Sequence, residues 1–206
     1  METQENDPFR KTCLVPYPKV DELPPSLRDK LNILPFRRNV LLTIANSHGL
    51  APHLLDLLGA CFDGTQRGLP TLEWQLIVLR TATNLKAKYE YDVNLPVAEV
   101  HNMPQEKIDN IASPTSVIQD NTQGPWTARD RVLLRLVDEQ LANYTNEEKT
   151  VRDAVELLGT DMVVEVIIVI GIYALLARVI KGLRVDDDVE IPGLKEKLKG
   201  AITATR

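Results

Sequence analysis

The sequence predicts an all-α protein, a compact bundle of about eight helices, on three observations. Apolar residues recur at three-to-four spacing in one segment after another, as at Leu72, Leu76, Leu79 and Ala82, and again at Val132, Leu133, Leu136 and Val137. Capping residues, prolines and glycines stand where such segments would start and stop. No stretch alternates apolar and polar residues between hairpin turns, so no strand is expected.

Residues 1–22 have little periodicity and contain Pro8, Pro16 and Pro18, which predicts an extended or partly disordered arm. If ordered, the arm crosses the domain or a neighbouring subunit. Residues 23–206 read as a single helical domain, with no interdomain linker. Leu23-Pro24-Pro25-Ser26 opens a short helix to about Leu31, since proline is tolerated in a first turn. A second helix is expected from Pro35 to Ala45, ending at Asn46-Ser47-His48-Gly49. A third runs from Leu50 to Phe62, its apolar side formed by Leu54, Leu55, Leu57 and Leu58, and Asp63-Gly64 closes it.

Thr71 to Met103 reads as two helices joined near Asn84, with Thr71 able to cap the first. Glu90 and Asn94 lie four residues apart on one face of the second, and Pro96 should kink or interrupt it. Pro104 starts a short helix through Ile111, and Ala112 to Pro125 reads as a polar loop, long enough to serve as a lid or a subunit contact. Thr127 can cap a helix to about Tyr144, and Asn146 the next, through Leu158. Asp161 starts an apolar helix for which Gly182 is a suitable end, and Leu194 to Lys199 forms a short tail helix.

The charge of −5 and pI near 5.3 offer no general attraction to phosphate backbones, and Lys and Arg are scattered among acids, so nucleic acid is not expected as a partner. Cys13 and Cys61 are far apart and lack CxxC or CxxxH spacing, which reads as two ordinary thiols rather than a dithiol or a zinc site. The acidic, polar N-terminus lacks the pattern of a secretory signal, so a cytoplasmic location is expected. Met162 to Ile180 is apolar enough to suggest a membrane span, but it contains Glu165 and Arg178. A core helix covered by its neighbours or by another subunit accounts for it better.

At Leu76-Ile-Val-Leu-Arg80, Tyr89-Glu-Tyr91, Asn94 and Ala98 the sequence resembles the carboxymuconolactone decarboxylase family, part of the alkylhydroperoxidase D-like superfamily. Val-Ile-Gly171-Ile-Tyr173, with Glu165 upstream, is similar to a later segment of that family. The resemblance spans roughly Pro35 to Val185 and implies an all-helical fold, assembly as a homo-oligomer (dimer, trimer or hexamer), and a site between helices near a subunit interface. It also implies departures. Ala87 and Glu90 stand where peroxidase members carry their two cysteines, Gln75 where they carry a relay acid, and Asn94 where the family has histidine. Without a thiolate there is no nucleophile for a peroxide, so peroxidase activity is not expected.

Glu90 is the acid kept on the signature helix, and half-burial would raise its pKa into the range of a general acid or base. An ion pair with Arg80 is an equal reading. Arg80 could hold a substrate carboxylate, although pairing with Glu90 or Glu165 is its simpler role. His48 and His53 could supply the titratable group that Asn94 does not, unless both are surface residues. His101, roughly 16 Å from Glu90 by helix rise, reads as an exposed helix-end residue. Trp74, Tyr91, Trp126 and Tyr173 are aromatic candidates for a substrate pocket, and Tyr173 could hydrogen-bond a carbonyl.

These readings point to a cofactor-free, metal-free enzyme of natural-product biosynthesis acting on an apolar intermediate with a carbonyl or carboxyl group. Proton transfer through Glu90, giving decarboxylation or isomerisation, is one chemistry; cyclisation, including a pericyclic step shaped by Gln75, Asn94 and Tyr173, is the other. A non-catalytic binding or assembly subunit is the alternative from a different class, motivated by the missing relay.

Overall fold

The computed structural model describes residues 10–33 and 36–202. Among them are eleven α-helices and no strand: α1 (Pro25–Lys30), α2 (Asn39–Ala45), α3 (Ala51–Phe62), α4 (Thr71–Asn84), α5 (Lys88–Val100), α6 (Gln105–Asn110), α7 (Thr115–Asp120), α8 (Ala128–Asn143), α9 (Glu148–Leu158), α10 (Thr160–Leu183) and α11 (Leu194–Ala201). α1, α2, α6, α7 and α11 are each only two turns or so long, and of these only α7 falls where the sequence reads as a loop. Nine N-terminal residues of the expected arm, and Pro35 at the expected start of the second helix, lie outside the described residues.

The hub is α4, whose residues are buried almost without interruption from Trp74 to Ala82. It packs against α5, α8 and α10 and serves two apolar clusters at once. Trp74, Ile77 and Val78 join the main core with Leu55, Leu133, Leu136, Val166 and Ile170. Leu76 and Leu79 face a second cluster with Ala98, Met103, Ile118, Trp126 and Leu134. Each fully buried Leu or Ile contributes about 1.5–3 kcal/mol, so a helix buried on every side is the most costly element of the fold to perturb. α10 is the one described helix long and apolar enough to cross a membrane, and 56% of its apolar window is buried inside the bundle.

Several expected boundaries differ, each for a local reason. Thr71 is the first residue of α4 rather than its cap; Pro70 holds the cap position, and the Thr71 hydroxyl accepts a 2.6 Å hydrogen bond from Arg67 Nη2. α2 begins at Asn39 because the Asn39 amide donates to Asp188 Oδ1 at 2.7 Å, which fixes the chain there instead of continuing a helix upstream. α5 runs through Pro96 without interruption. The polar loop expected over Ala112 to Pro125 contains α7, held by the fully buried Ile118.

At the capping positions, Thr127 behaves as predicted: its hydroxyl accepts from Asp130 N at 3.1 Å while Asp130 Oδ2 accepts from Thr127 N at 2.7 Å. Asn146 does not cap α9. It accepts from Gln140 Nε2 at 2.7 Å and donates to Leu136 O at 3.1 Å, tying the turn back to α8. Gly182 lies inside α10, and Arg184 in the left-handed region (φ 53°) ends the helix.

Residues 10–19 run without helix across the end of α10. Asp186 anchors them, its Oδ1 accepting from the Thr12 amide at 2.6 Å and hydroxyl at 2.8 Å and its Oδ2 from Tyr17 Oη at 2.9 Å. Asp188 ties α2 to α5 in the same region, accepting from Asn39 N and from Tyr89 Oη at 2.9 Å and pairing with Arg38 at 3.0 Å.

Candidate active site

α4, α5 and α10 pack on one another, and α4 and α5 carry buried polar side chains with no hydrogen-bond partner among the described residues. Protein interiors pair their polar atoms almost completely, so unpaired ones need a reason. Glu90, on the first turn of α5, is 1% exposed, and neither carboxyl oxygen has a hydrogen-bond partner among the described residues. Burial alone raises its pKa from 4.5 to about 8, which keeps the carboxyl protonated at neutral pH. Gln75 on α4 is wholly buried with both amide atoms unpaired, and the hydroxyl of Thr81, further along α4, is unpaired as well.

Tyr173 enters from α10 and is buried. Burial raises its phenol well above the ordinary value, reinforced by Cys61 and Glu90 and opposed by Trp74 and Arg67, so these five side chains share one electrostatic environment. Trp74 is fully buried, packed edge-on against Phe62 with ring centres 5.5 Å apart, and the Arg67 guanidinium lies 4.9 Å above its ring. Asn94 sits one turn beyond Glu90 and spends an amide hydrogen on the Glu90 backbone carbonyl, at 2.8 Å.

The other sequence-predicted candidates lie elsewhere. Arg80 pairs with neither Glu90 nor Glu165: its Nε and Nη2 hold Asp138 at 2.7 and 2.8 Å, and Nη1 donates to Ile111 O and Ser113 O. The guanidinium is thus committed to α8 and to the turn before α7. Trp126 packs in the second core cluster, and half-buried Tyr91 packs against that cluster too. His48 and His53 are exposed at the α2–α3 turn and on α3, so neither supplies the buried group with a titratable imidazole in this chain.

Three groups were missed in the sequence or misjudged from it. Arg67, in the loop before α4, is buried and donates from Nε to Cys61 O at 3.0 Å, from Nη1 to Leu69 O and from Nη2 to Thr71. A polar loop gave no sign of a buried arginine. Glu165 anchors the same loop by accepting from Gly68 N at 2.7 Å and Leu69 N at 3.0 Å. His101 is half-buried rather than exposed, with Nε2 unpaired, and burial followed by the Arg67 charge lowers its pKa.

No protein-family model and no curated protein matches the sequence. Among solved structures, the crystal structure of an alkylhydroperoxidase AhpD core, an uncharacterized peroxidase-related protein from Ralstonia eutropha JMP134, matches with a TM-score of 0.70. The match covers 87% of this chain and 94% of that one at 18% identity. The chain has the AhpD core fold.

The Cys61 thiol, which acts on Tyr173, is buried, with its pKa pushed up to about 11 by burial first and Glu165 second. A thiol so strongly protonated is not a nucleophile at neutral pH. The buried interior thus holds a neutral carboxylic acid, Glu90, near the phenol of Tyr173, and on α4 an unengaged amide, Gln75, groups suited to giving up a proton or hydrogen-bonding a carbonyl oxygen.

Proposed function

We propose that the chain is a cofactor-free enzyme in which Glu90 is the acid–base residue, acting on an apolar natural-product intermediate that bears a carbonyl or carboxyl group. One observation carries this reading: a carboxyl 1% exposed, with both oxygens unpaired and a pKa of about 8. Such a group costs stability and is poised for proton transfer near neutral pH. In a decarboxylation, the bond to the departing carbon dioxide breaks, its electron pair becomes an enolate, and the Glu90 proton passes to the carbon. In this reading Gln75 and Tyr173 would hydrogen-bond the enolate oxygen. In an isomerisation the same carboxyl exchanges a proton between two carbons.

A second reading, cyclisation by substrate folding, draws support from Gln75, whose unpaired amide offers a hydrogen bond without a titrating proton. The reading as a purely structural subunit is weaker, because a bundle with only an assembly role has no use for a buried carboxyl and amide left unpaired.

The test is to incubate the purified protein with metabolite extract from a host lacking it and to follow masses. Loss of the mass of carbon dioxide identifies decarboxylation, and an unchanged mass identifies isomerisation or cyclisation. Glu90→Gln then decides the role of the acid: a drop of about 10²–10⁴-fold in kcat supports proton transfer, whereas near-full activity sinks it in favour of templating. No turnover of any metabolite would overturn the enzymatic reading.

A further inference from the structure

α10 carries a stripe that the core does not use. Asp161, Val164, Ile168, Gly171, Leu175 and Arg178 all face solvent, at spacings of three and four that mark the seam of a coiled coil. The three large apolar residues among them are left 54% (Val164), 48% (Ile168) and 40% (Leu175) exposed. Gly171 lies at the middle, and a Cβ built there would meet nothing within 4 Å. Glycine is a poor helix former, and the packing of this chain gives no reason for one at an open mid-helix position; close approach of another backbone does.

The stripe also reads the same when the helix is reversed. About a centre between Val169 and Ile170, reversal brings Asp161 onto Arg178, Val164 onto Leu175 and Ile168 onto Gly171. A two-fold interface requires this self-complementarity, in which residue i meets j and j meets i. The end charges are available for it, since neither Asp161 nor Arg178 has an ion-pair partner among the described residues; Arg178 donates only to the Ala174 carbonyl of its own helix, at 3.1 Å.

We propose that this face of α10 binds a second copy of the chain, with the two helices antiparallel across a two-fold axis at Val169–Ile170. Ile168 of each copy fills the space above Gly171 of the other, Val164 packs on Leu175, and Asp161 pairs with Arg178 at both ends. Opposite charges at the two ends suit a reversed copy of the same helix. A membrane surface would call for a basic rim around the apolar residues.

The test needs no substrate, so it stands apart from the proposed activity. Sedimentation equilibrium of the full chain should show a reversible dimer. Gly171→Leu, which has room in the single chain, should give a folded monomer by circular dichroism. Asp161→Arg and Arg178→Asp should each weaken the dimer at least tenfold, and the two changes combined should restore it. Mixing Val164→Cys chains with Leu175→Cys chains under mild oxidation should yield a disulfide-linked heterodimer. Val164→Cys chains alone should not link, because in this arrangement their cysteines stand about 16 Å apart along the helix. A chain that stays monomeric at all concentrations, a Val164 self-link, a dimer indifferent to Gly171→Leu, or a monomer that binds phospholipid vesicles through this face would each overturn the proposal.

Discussion

Arg80 and Asp138 join α4 to α8 by two parallel hydrogen bonds, Nε to Oδ1 at 2.7 Å and Nη2 to Oδ2 at 2.8 Å, with the two side chains only 4% and 11% exposed. Thr115 Oγ1 donates to Asp138 Oδ2 at 2.5 Å, and Arg80 Nη1 holds the carbonyls of Ile111 and Ser113 at 2.7 Å each. One buried ion pair thus fixes the turn leading into α7. Planar, bidentate geometry of this kind cannot be reproduced by lysine.

Arg80→Met is accordingly predicted to be a stability variant. It leaves Asp138 buried without its partner, and removing one member of a buried pair costs about 3–5 kcal/mol. Urea denaturation should show that loss, and hydrogen exchange should show the Thr115–Asp120 segment opening first. Unchanged stability with impaired activity would instead return Arg80 to the role of a substrate clamp.

Glu90 should make stability fall as pH rises. Its folded pKa, about 8, lies above the ordinary 4.5, so between these values the folded state holds a proton that the unfolded state has released. Stability is then highest below pH about 4.5, as far as this group is concerned, and declines through the window at up to about 1.4 kcal/mol per pH unit. Glu90→Gln should flatten that slope in denaturation curves taken from pH 5 to 8. An identical slope in the variant would show that the carboxyl is ionised or partnered in solution.

The scaffold was legible in the sequence where period and punctuation agreed. Leu72, Leu76, Leu79 and Ala82 marked α4, and Thr127 marked the start of α8. What escaped were interactions between residues far apart in the chain. Asp186, Asp187 and Asp188 look like a solvated acidic run, yet Asp186 receives donors more than 160 residues away and Asp188 receives the Asn39 amide. Arg67 escaped for the same reason, since nothing local announces that Cys61, Leu69 and Thr71 will enclose its guanidinium. The candidate site was half visible: helical spacing put Glu90 and Asn94 on one face, but only packing could decide that Glu90 would be left unpaired while Arg80 went to Asp138.

Gln75 offers a trade between stability and function. Its amide is buried with donor and acceptor both unpaired, a cost of about 1–3 kcal/mol that a side chain of similar size and no polar atoms avoids. Gln75→Met should therefore raise the melting temperature. If the amide holds the substrate oxygen, kcat should fall in the same variant, whereas a destabilised Gln75→Met would show that the amide is satisfied by water or by a residue of a second copy.

Asp186 should give the N-terminal arm an acid-sensitive hold. Burial acts to raise its pKa, but hydrogen bonds from the Thr12 amide and hydroxyl, Tyr17 and the Lys11 amide outweigh burial and keep it below the usual carboxylate range. The sign is the reverse of that for Glu90: the stabilisation is fully present above the ordinary aspartate pKa and is lost as pH falls through the depressed folded value. Asp186→Asn should cost about 2 kcal/mol, because hydrogen bonds to a charged acceptor become neutral ones. The change should appear first as faster tryptic cleavage at Lys11 at neutral pH. Wild type should approach that cleavage susceptibility only in strong acid, probed there with pepsin, while Leu14 keeps part of the arm in place through its 2.8 Å bond to the Leu183 carbonyl. Equal protection of the arm in wild type and variant would mean that Leu14 and the apolar contacts of Tyr17 and Val20, not the carboxylate, hold it down.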